Sequence, residues 1–428
     1  MQKDNEKDHL NEIFTILKKL GLLKNVDVHF LHFYDEPKMY SYTTFLFDSK
    51  DILKQSGYAQ THKNIVARGF SFYSKRDALF KSLMEGIERI SLFCYRKQKI
   101  LYSTSVLLNK PSLNLKEYIA NTSINSTRIG WIEGMNLSTH EPTLIPAQLV
   151  YLNYLAKNKE PVLFPTISTG AAAGFDVKPT LLRGIYEIIE RDAFMSIYLN
   201  RITVPRIPIQ NIKNSRIKIV YEMMKRYQLE WYLLDFTHDL NIPVYVSILV
   251  DSTKTNMGPS ISIGVKCSFN KINNILSSLG EALLSRFETK MVTSQMRVRK
   301  KRKDITNRYL KTLIWWPHTM QKKIHFLLKT NQISNKIETI KKRHKTEEEL
   351  NRIITILTKK GYSIYYKNIA PVFFRQKELC VLKVIIPALQ PLYMNQNNKK
   401  VLTKRLKIVG RYFGKNELNI NTFPHPFL

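Results

Sequence analysis

This chain is poor in the features that would place it quickly. It has only three cysteines in 428 residues, Cys94, Cys267 and Cys380. They lie far apart, which excludes a CxxC metal site and a disulfide framework. An odd, sparse count suits a reducing cytoplasm. No apolar run reaches the ~18 residues of a membrane span. The first ten residues, MQKDNEKDHL, are polar and make no signal peptide. No GxxxxGK[ST] occurs, so there is no P-loop, and no Ser-His-Asp set stands out. Acidic residues are scarce too: 34 against 67 basic ones, a net charge of +33. Such a balance invites a nucleic-acid or acidic-surface reading. Yet the basic residues are mostly dispersed, Arg297 to Lys303 (RVRKKRK) and Lys341 to Lys345 (KKRHK) excepted. A basic nucleic-acid-binding protein is therefore an alternative, and nucleic acid is not the expected partner. With 44% hydrophobic residues the chain can build a core, as one large or two ordinary domains.

What is present is a repeated acidic helix. Ala78 to Phe93 places Leu79, Leu83, Ile87 and Ile90 at helical spacing. Glu85 and Glu88, three apart, leave from one side of that helix, with Arg89 beside them. Thr180 to Phe194 writes nearly the same pattern, with Glu187, Glu190 and Arg191. A third copy, Ser278 to Phe287, keeps Glu281 but carries Leu284 in the second place, and reads as degraded. One E-x-x-E-R is ordinarily a solvated face with a local ion pair. Two copies in like apolar frames point elsewhere, because neighbouring carboxylates repel unless a cation sits between them. Two such helices facing each other would gather four carboxylates, the hard oxygen ligands that divalent cations take. A di-iron site would want Glu-x-x-His, and neither copy has the histidine. Magnesium with substrate phosphates fits better, the arginines supplying phosphate contacts.

Along the chain, residues 8 to 22 read as an amphipathic helix closed by Gly21. Val26 to His32, Ser41 to Phe47 and Arg128 to Gly134 read as strands. Ala67 to Ser74 reads as a glycine-containing approach to the first acidic helix. Thr143 to Ala156 is expected to be helical, opening at Pro146. Ile167 to Gly174 (ISTGAAAG) reads as a flexible turn able to offer N–H groups to phosphate. A helix from Ser215, strands around 230–235, 243–250 and 260–265, a helix from Glu347 to Lys360, and strands at 362–367 and 379–386 complete the pattern. The prolines of Phe423 to Leu428 (FPHPFL) exclude regular structure. The order predicts an α/β (α+β-like) fold with mixed or antiparallel sheets, packed helices and two related halves meeting at the site. Residues 1–25 form an N-terminal helix or extension, 26–428 the main domain. Within it 295–345 reads as a basic variable insertion and 423–428 as a proline-rich tail.

The chain resembles the YcaO superfamily of ATP-dependent enzymes that act on peptide backbones. The resemblance covers roughly residues 26 to 428. It rests on ALFKSLMEGIER, WIEGMNL then IPAQLVYL, STGAAAG then LLRGIYEIIERDAF, IPVYV, GEALLSRF, and IIPALQPLY with the closing PHPFL. It implies a fold that binds ATP and Mg2+ without a P-loop, with Glu85, Glu88, Glu187 and Glu190 as the metal-holding set. Arg89 and Arg191 would contact phosphates or brace carboxylates. Arg68, Lys81, Ser82, Ser168, Glu281 and Arg286 would complete the nucleotide site. Family members often carry serine four residues before the first glutamate, where this chain has Lys81 with Ser82 next door. A glutamine commonly follows the third helix's glutamate, and here those places hold Leu284 and Ser285. Azoline-forming members end in a PHPFP-type tail. Here Leu428 takes the place of the last proline, and His425, Pro426 and Leu428 are the expected catalytic-centre residues.

The activity implied is a cyclodehydratase that forms thiazoline or oxazoline rings from Cys, Ser or Thr of a ribosomal precursor peptide. Thioamide formation is the alternative on the same activated amide. The tail is expected to serve ring formation rather than ATP affinity. Few residues precede the region of resemblance, so a separate leader-binding partner of the E1-like type is expected. Self-association as a homodimer stays open.

Overall fold

The structure, a computed structural model, describes the chain except residues 1, 31–34, 47–56, 61–64, 119–124, 153, 155–159, 162, 165–166, 254, 297–312, 335–344, 395–398 and 428. In chain order its principal elements begin with α1 (Gln2–Lys19), β1 (Leu23–Phe30), β2 (Tyr40–Leu46), β3 (Ala59–Gln60), β4 (Ile65–Ser71) and α2 (Lys75–Leu92). Next come β5 (Cys94–Tyr95), β6 (Leu101–Ser103), β7 (Ile129–Asn136), β8 (Pro142–Pro146), β9 (Ala171–Gly174) and α3 (Val177–Asn200). Then follow α4 (Ser215–Arg226), β10 (Leu229–Asp235), β11 (Val244–Asp251), β12 (Ile261–Cys267) and α5 (Lys271–Met296). The last are α6 (Thr346–Lys359), β13 (Tyr365–Asn368), β14 (Cys380–Ile385) and α7 (Thr403–Tyr412). Among the described residues no helix is long and apolar enough to cross a membrane.

The chain folds as two compact units. The first takes Met1–Phe30, Met39–Ile185 and Lys345–Ala388; the second takes Leu31–Lys38, Tyr186–His344 and Leu389–Leu428. Helix α3 starts in the first and ends in the second. The first unit holds the antiparallel sheet β1-β2-β4 and a larger sheet, β6-β7-β13-β14-β9, with β8 on β7. Helix α2 covers β4 and β2. Its start is set by Ser74, whose side chain accepts from Asp77 N, and its buried stripe is Ala78, Leu83, Ile87 and Ile90. The second unit holds the antiparallel sheet β10-β11-β12, covered by α5. Every residue of the central strand β11 is buried.

Three sequence expectations change. Thr143 to Ala156 is not one continuous helix: Pro142–Pro146 pairs with β7, Ile145 opposite Ile132, and among the described residues of the segment only Ala147–Val150 makes a helical turn. Cross-strand burial overrides the helical reading. Ala171–Gly174 is not a flexible turn but strand β9, paired with β14 and wholly buried. Ala67 to Ser74 is mostly strand β4. The proposed insertion also contains core: Trp315, Ile324 and Leu327 are buried. RVRKKRK and KKRH of the second basic run lie outside the described residues.

Candidate active site

The first acidic helix sits hard against its sheet. A Cβ on Gly69 of β4 would stand 2.1 Å from the Ala78 carbonyl oxygen and 2.3 Å from the Ser82 nitrogen. Only glycine allows that approach. Ser82 is fully buried, its hydroxyl 2.7 Å from Thr44 Oγ1 and 3.2 Å from the Ala67 carbonyl. One turn on, Glu85 Oε2 accepts from the Arg68 backbone N at 2.8 Å. Its other oxygen takes Arg89 Nε and Nη2 at 2.8 and 2.5 Å. Glu88 is half-buried and within electrostatic reach of Arg183. Lys81 points outward, paired with Asp77 at 2.9 Å.

In the second unit α5 repeats this device on β12. A Cβ on Gly264 would stand 2.1 Å from the Ser278 carbonyl oxygen. Ser278 Oγ lies 2.8 Å from Ser247 Oγ, and Glu281 Oε2 accepts from Val265 N at 2.9 Å. The third copy therefore keeps its architecture, a serine locked to the sheet and a glutamate bound to a strand N–H. What is missing is the second glutamate and the arginine beside it, whose places hold Leu284 and Ser285.

Glu190 of α3 lands on the same strand. It is 1% exposed, accepts from Cys267 N at 3.0 Å and pairs with Lys266 at 2.9 Å. Burial pushes its carboxyl up to about 6, against the pull of Lys266. Burial disfavours the Lys266 ammonium, but Glu190, Glu281 and Glu187 together overcome this and raise it above its usual range. Glu187 meets Arg191 at 3.5 Å. Arg191 Nε and Nη1 are buried with no hydrogen-bond partner among the described residues. Its guanidinium lies 4.1 Å over the Phe427 ring.

Phe427 belongs to the C-terminal segment, which runs back along α3. Arg405 is buried between Asp192 and Asp239, at 2.6 and 2.9 Å. Asn200 Nδ2 donates to the Leu406 carbonyl, and Asn421 N to the Leu199 carbonyl. The Tyr198 hydroxyl donates to the Phe423 and Pro424 carbonyls at 3.3 and 3.1 Å. His425 is fully buried beside Phe194, Tyr198 and Tyr393, its Nε2 2.9 Å from the Tyr393 carbonyl. Phe427 then packs on Phe194 at 5.1 Å. Pro426 is buried, and Leu428 lies outside the described residues.

Several expected roles change with this geometry. His425 has no exposed surface, so in this arrangement it seats the tail rather than meeting a reacting amide. Ser82 is a packing hydroxyl, with both its contacts inside the protein. Arg286 is saturated: Nε binds Glu36, Nη2 binds Asp251 at 2.7 Å, and Nη1 binds the Pro259 carbonyl at 2.6 Å. It stands on the wall of a cavity of about 430 Å³ whose charged lining is paired, Arg286 with Asp251 and Lys290 with Asp35. Among the described residues no three Asp, Glu, His or Cys side chains converge as a metal cage. Mg2+ seldom needs one, since it takes one or two carboxylates plus waters and phosphates.

Two residues escaped the sequence reading. Lys266 pairs with Glu190. Lys383 of β14 is 2% exposed and donates to the Ile167 and Thr169 carbonyls at 2.8 and 2.5 Å, holding the segment around Ser168. A lysine inside a strand whose six residues are all buried was the available signal for the second. For Lys266, strand alternation alone gave none.

Comparison with known proteins agrees with this architecture. Residues 72–390 match the family model described as YcaO cyclodehydratase, ATP- and Mg2+-binding. A solved heterocyclase in complex with substrate and cofactor is similar at a TM-score of 0.75 with 15% identity, over 97% of this chain and 57% of that one. YcaO from Methanopyrus kandleri, bound with AMPPCP and Mg2+, gives 0.67 and 14%, over 93% and 94%. The E. coli microcin synthetase McbBCD complex with pro-MccB17 bound gives 0.59 and 11%, over 90% of this chain and 96% of that one. Among curated proteins, one from the tfuA 3′ region of Rhizobium leguminosarum bv. trifolii is 25% identical over 170 residues, 38% of this chain and 40% of that protein. A Methanothermobacter thermautotrophicus protein is 24% identical over 160 residues, 37% and 42%. The match thus spans about two fifths of each curated relative. With most of its length under the family model and both acidic helices inside it, the chain belongs to the YcaO family of ATP- and Mg2+-binding proteins.

Proposed function

We propose that this protein is an ATP-dependent cyclodehydratase that forms azoline rings in a ribosomal precursor peptide. The observation that carries the reading is the apolar PHPF tail docked on the second E-x-x-E-R helix, with Phe427 on Arg191. The family supports ATP and Mg2+ as ligands, and the residues fit them. Within the first unit Glu85 and Glu88, and within the second Glu187 and Glu190, offer the hard oxygen donors that Mg2+ takes. Arg191 has two buried donors without a hydrogen-bond partner among the described residues, which a phosphate oxygen would satisfy. Bound Mg2+ would neutralise phosphate charge and fix in-line geometry.

A Cys, Ser or Thr side chain of the peptide adds to the preceding amide carbon. The adduct oxygen takes the γ-phosphoryl group of ATP, giving ADP. Phosphate then leaves as the C–N double bond of the ring forms. The nucleophile belongs to the substrate, so the chain needs no Ser-His-Asp set. Arg89 and Lys266 hold Glu85 and Glu190 in place. The buried thiols of Cys94, Cys267 and Cys380 accord with a cytoplasmic setting. The heterocyclase and microcin synthetase relatives, solved with a substrate and with pro-MccB17, support a precursor-peptide substrate. A separate E1-like leader-binding protein is the partner we expect.

The deciding experiment combines the protein, ATP, Mg2+ and a Cys/Ser/Thr-rich peptide encoded beside its gene, read by mass spectrometry. Loss of one water per ring is expected. Exchange of oxygen for sulfur would replace the reading with thioamidation, and an unmodified peptide in the presence of its partner would refute both.

A further inference from the structure

The tail's course along α3 ends on a residue of the acidic motif itself. From Leu406 beside Asn200, contacts step back through Leu199, Tyr198 and Phe194 to Arg191. Phe427 is 2% exposed, so its ring is fixed by packing before Arg191 is considered. The guanidinium lies against the ring face at 4.1 Å, while one nitrogen approaches Glu187 at 3.5 Å. A guanidinium stacked in this way keeps its in-plane N–H groups for other acceptors. Here Nε and Nη1 find none among the described residues. Buried donors left so are costly, and an anion presented in the guanidinium plane would remove that cost.

We infer that Phe427 is a positioning residue for the phosphate contact of Arg191, so that docking of the tail sets the nucleotide affinity of the enzyme. This rests on the ATP reading above and deepens it. It also departs from the sequence expectation that the tail serves ring formation alone. Glu187 holds one edge of the guanidinium, Phe427 holds its face, and the phosphate takes the remaining donors. Without the ring, a long flexible side chain must be ordered by the ligand itself, and binding loses that free energy.

The test is calorimetric binding of ATP with Mg2+ to the full-length protein. Phe427→Met keeps an apolar side chain and removes the ring face; Phe427→Tyr keeps the face. A cation–π contact of ~1–2 kcal/mol predicts a Kd about 5- to 30-fold weaker for the Met variant and within about two-fold of wild type for the Tyr variant. Arg191→Lys should weaken binding on the same scale, and adding Phe427→Met to it should cost no more. Equal affinity of the Met variant and wild type would overturn the inference. So would losses that multiply in the double variant, or a Tyr variant as weak as Met. Should Phe427→Met fail to fold, a chain ending at Pro426 gives the same comparison. If the wild type binds no ATP with Mg2+, the proposed function itself fails; if it binds and the Met variant matches it, only the role of Phe427 does.

Discussion

Glu187 and Glu190 share one motif and have different surroundings. Glu187 keeps 23% of its side chain exposed, whereas Glu190 keeps 1%. Both Glu187→Ala and Glu190→Ala should reduce turnover at least ~10–100-fold, the scale of lost ligand support at metal sites. Melting separates them. Glu187→Ala should melt like wild type, while Glu190→Ala leaves Lys266 without its buried partner and should melt lower. Wild-type turnover in both would reduce them to ion pairs worth roughly 0–1 kcal/mol. The motif carboxylates and arginines were legible because they recur at fixed spacing on one helix face. Their partners were not. Lys266 reaches Glu190, and Lys383 the segment around Ser168, from strands distant in sequence, where alternation tells burial but not what a buried cation meets. Arg286 misled for the complementary reason: its place beside the third motif was visible, and its saturation by Glu36 and Asp251 was not.

At the scale of elements, the sequence revealed the acidic helices but understated their kinship. Glu85 and Glu281 each accept from a strand N–H, and Ser82 and Ser278 each meet a strand hydroxyl. Loss of the second glutamate hid this. The misread helix at 143–156 shows the opposite failure, since pairing with β7 decides that segment and leaves no local mark. The clamp that holds α7 to α3 was equally invisible, as Asp192, Asp239 and Arg405 lie far apart in the chain. Burial opposes ionisation of Asp239, but His238 and Arg405 together outweigh it and hold the carboxyl well below the usual carboxylate range. A depressed folded-state pKa contributes stability above the unfolded value of ~3.9, lost as pH falls through that range. Arg405→Met would take the guanidinium from two buried carboxylates and leave His238 as the cationic group beside them. It should cost about 3–5 kcal/mol in chemical denaturation. An Arg405→Met protein as stable as wild type at neutral pH would show that the clamp does not hold α7.

At the scale of the whole molecule, the open matter is what a net charge of +33 is for. A nucleic-acid site would concentrate that charge where phosphates lie. The densest run, Arg297 to Lys303, holds six of the 67 basic residues, so most of the charge lies elsewhere in the sequence. Charge dispersed in this way acts as a field, which speeds encounter with an acidic leader or partner more than it fixes a contact. Two consequences separate the alternatives. Replacing the six basic residues of Arg297–Lys303 with Ser and Gln should leave peptide modification nearly unchanged, because the acidic motifs on α2 and α3 and the docked tail stay intact. Association with the proposed peptide substrate and leader-binding partner should slow as salt rises, because screening shortens the reach of exposed charge to ~8 Å at physiological ionic strength. The measurements are the modification rate of the neutralised variant and association rates across a salt series. Tight, salt-sensitive binding of duplex or single strands that disappears in the same variant would instead make this run a nucleic-acid site. A variant that binds the partner at the wild-type rate and still modifies the peptide would leave the run no part in either step.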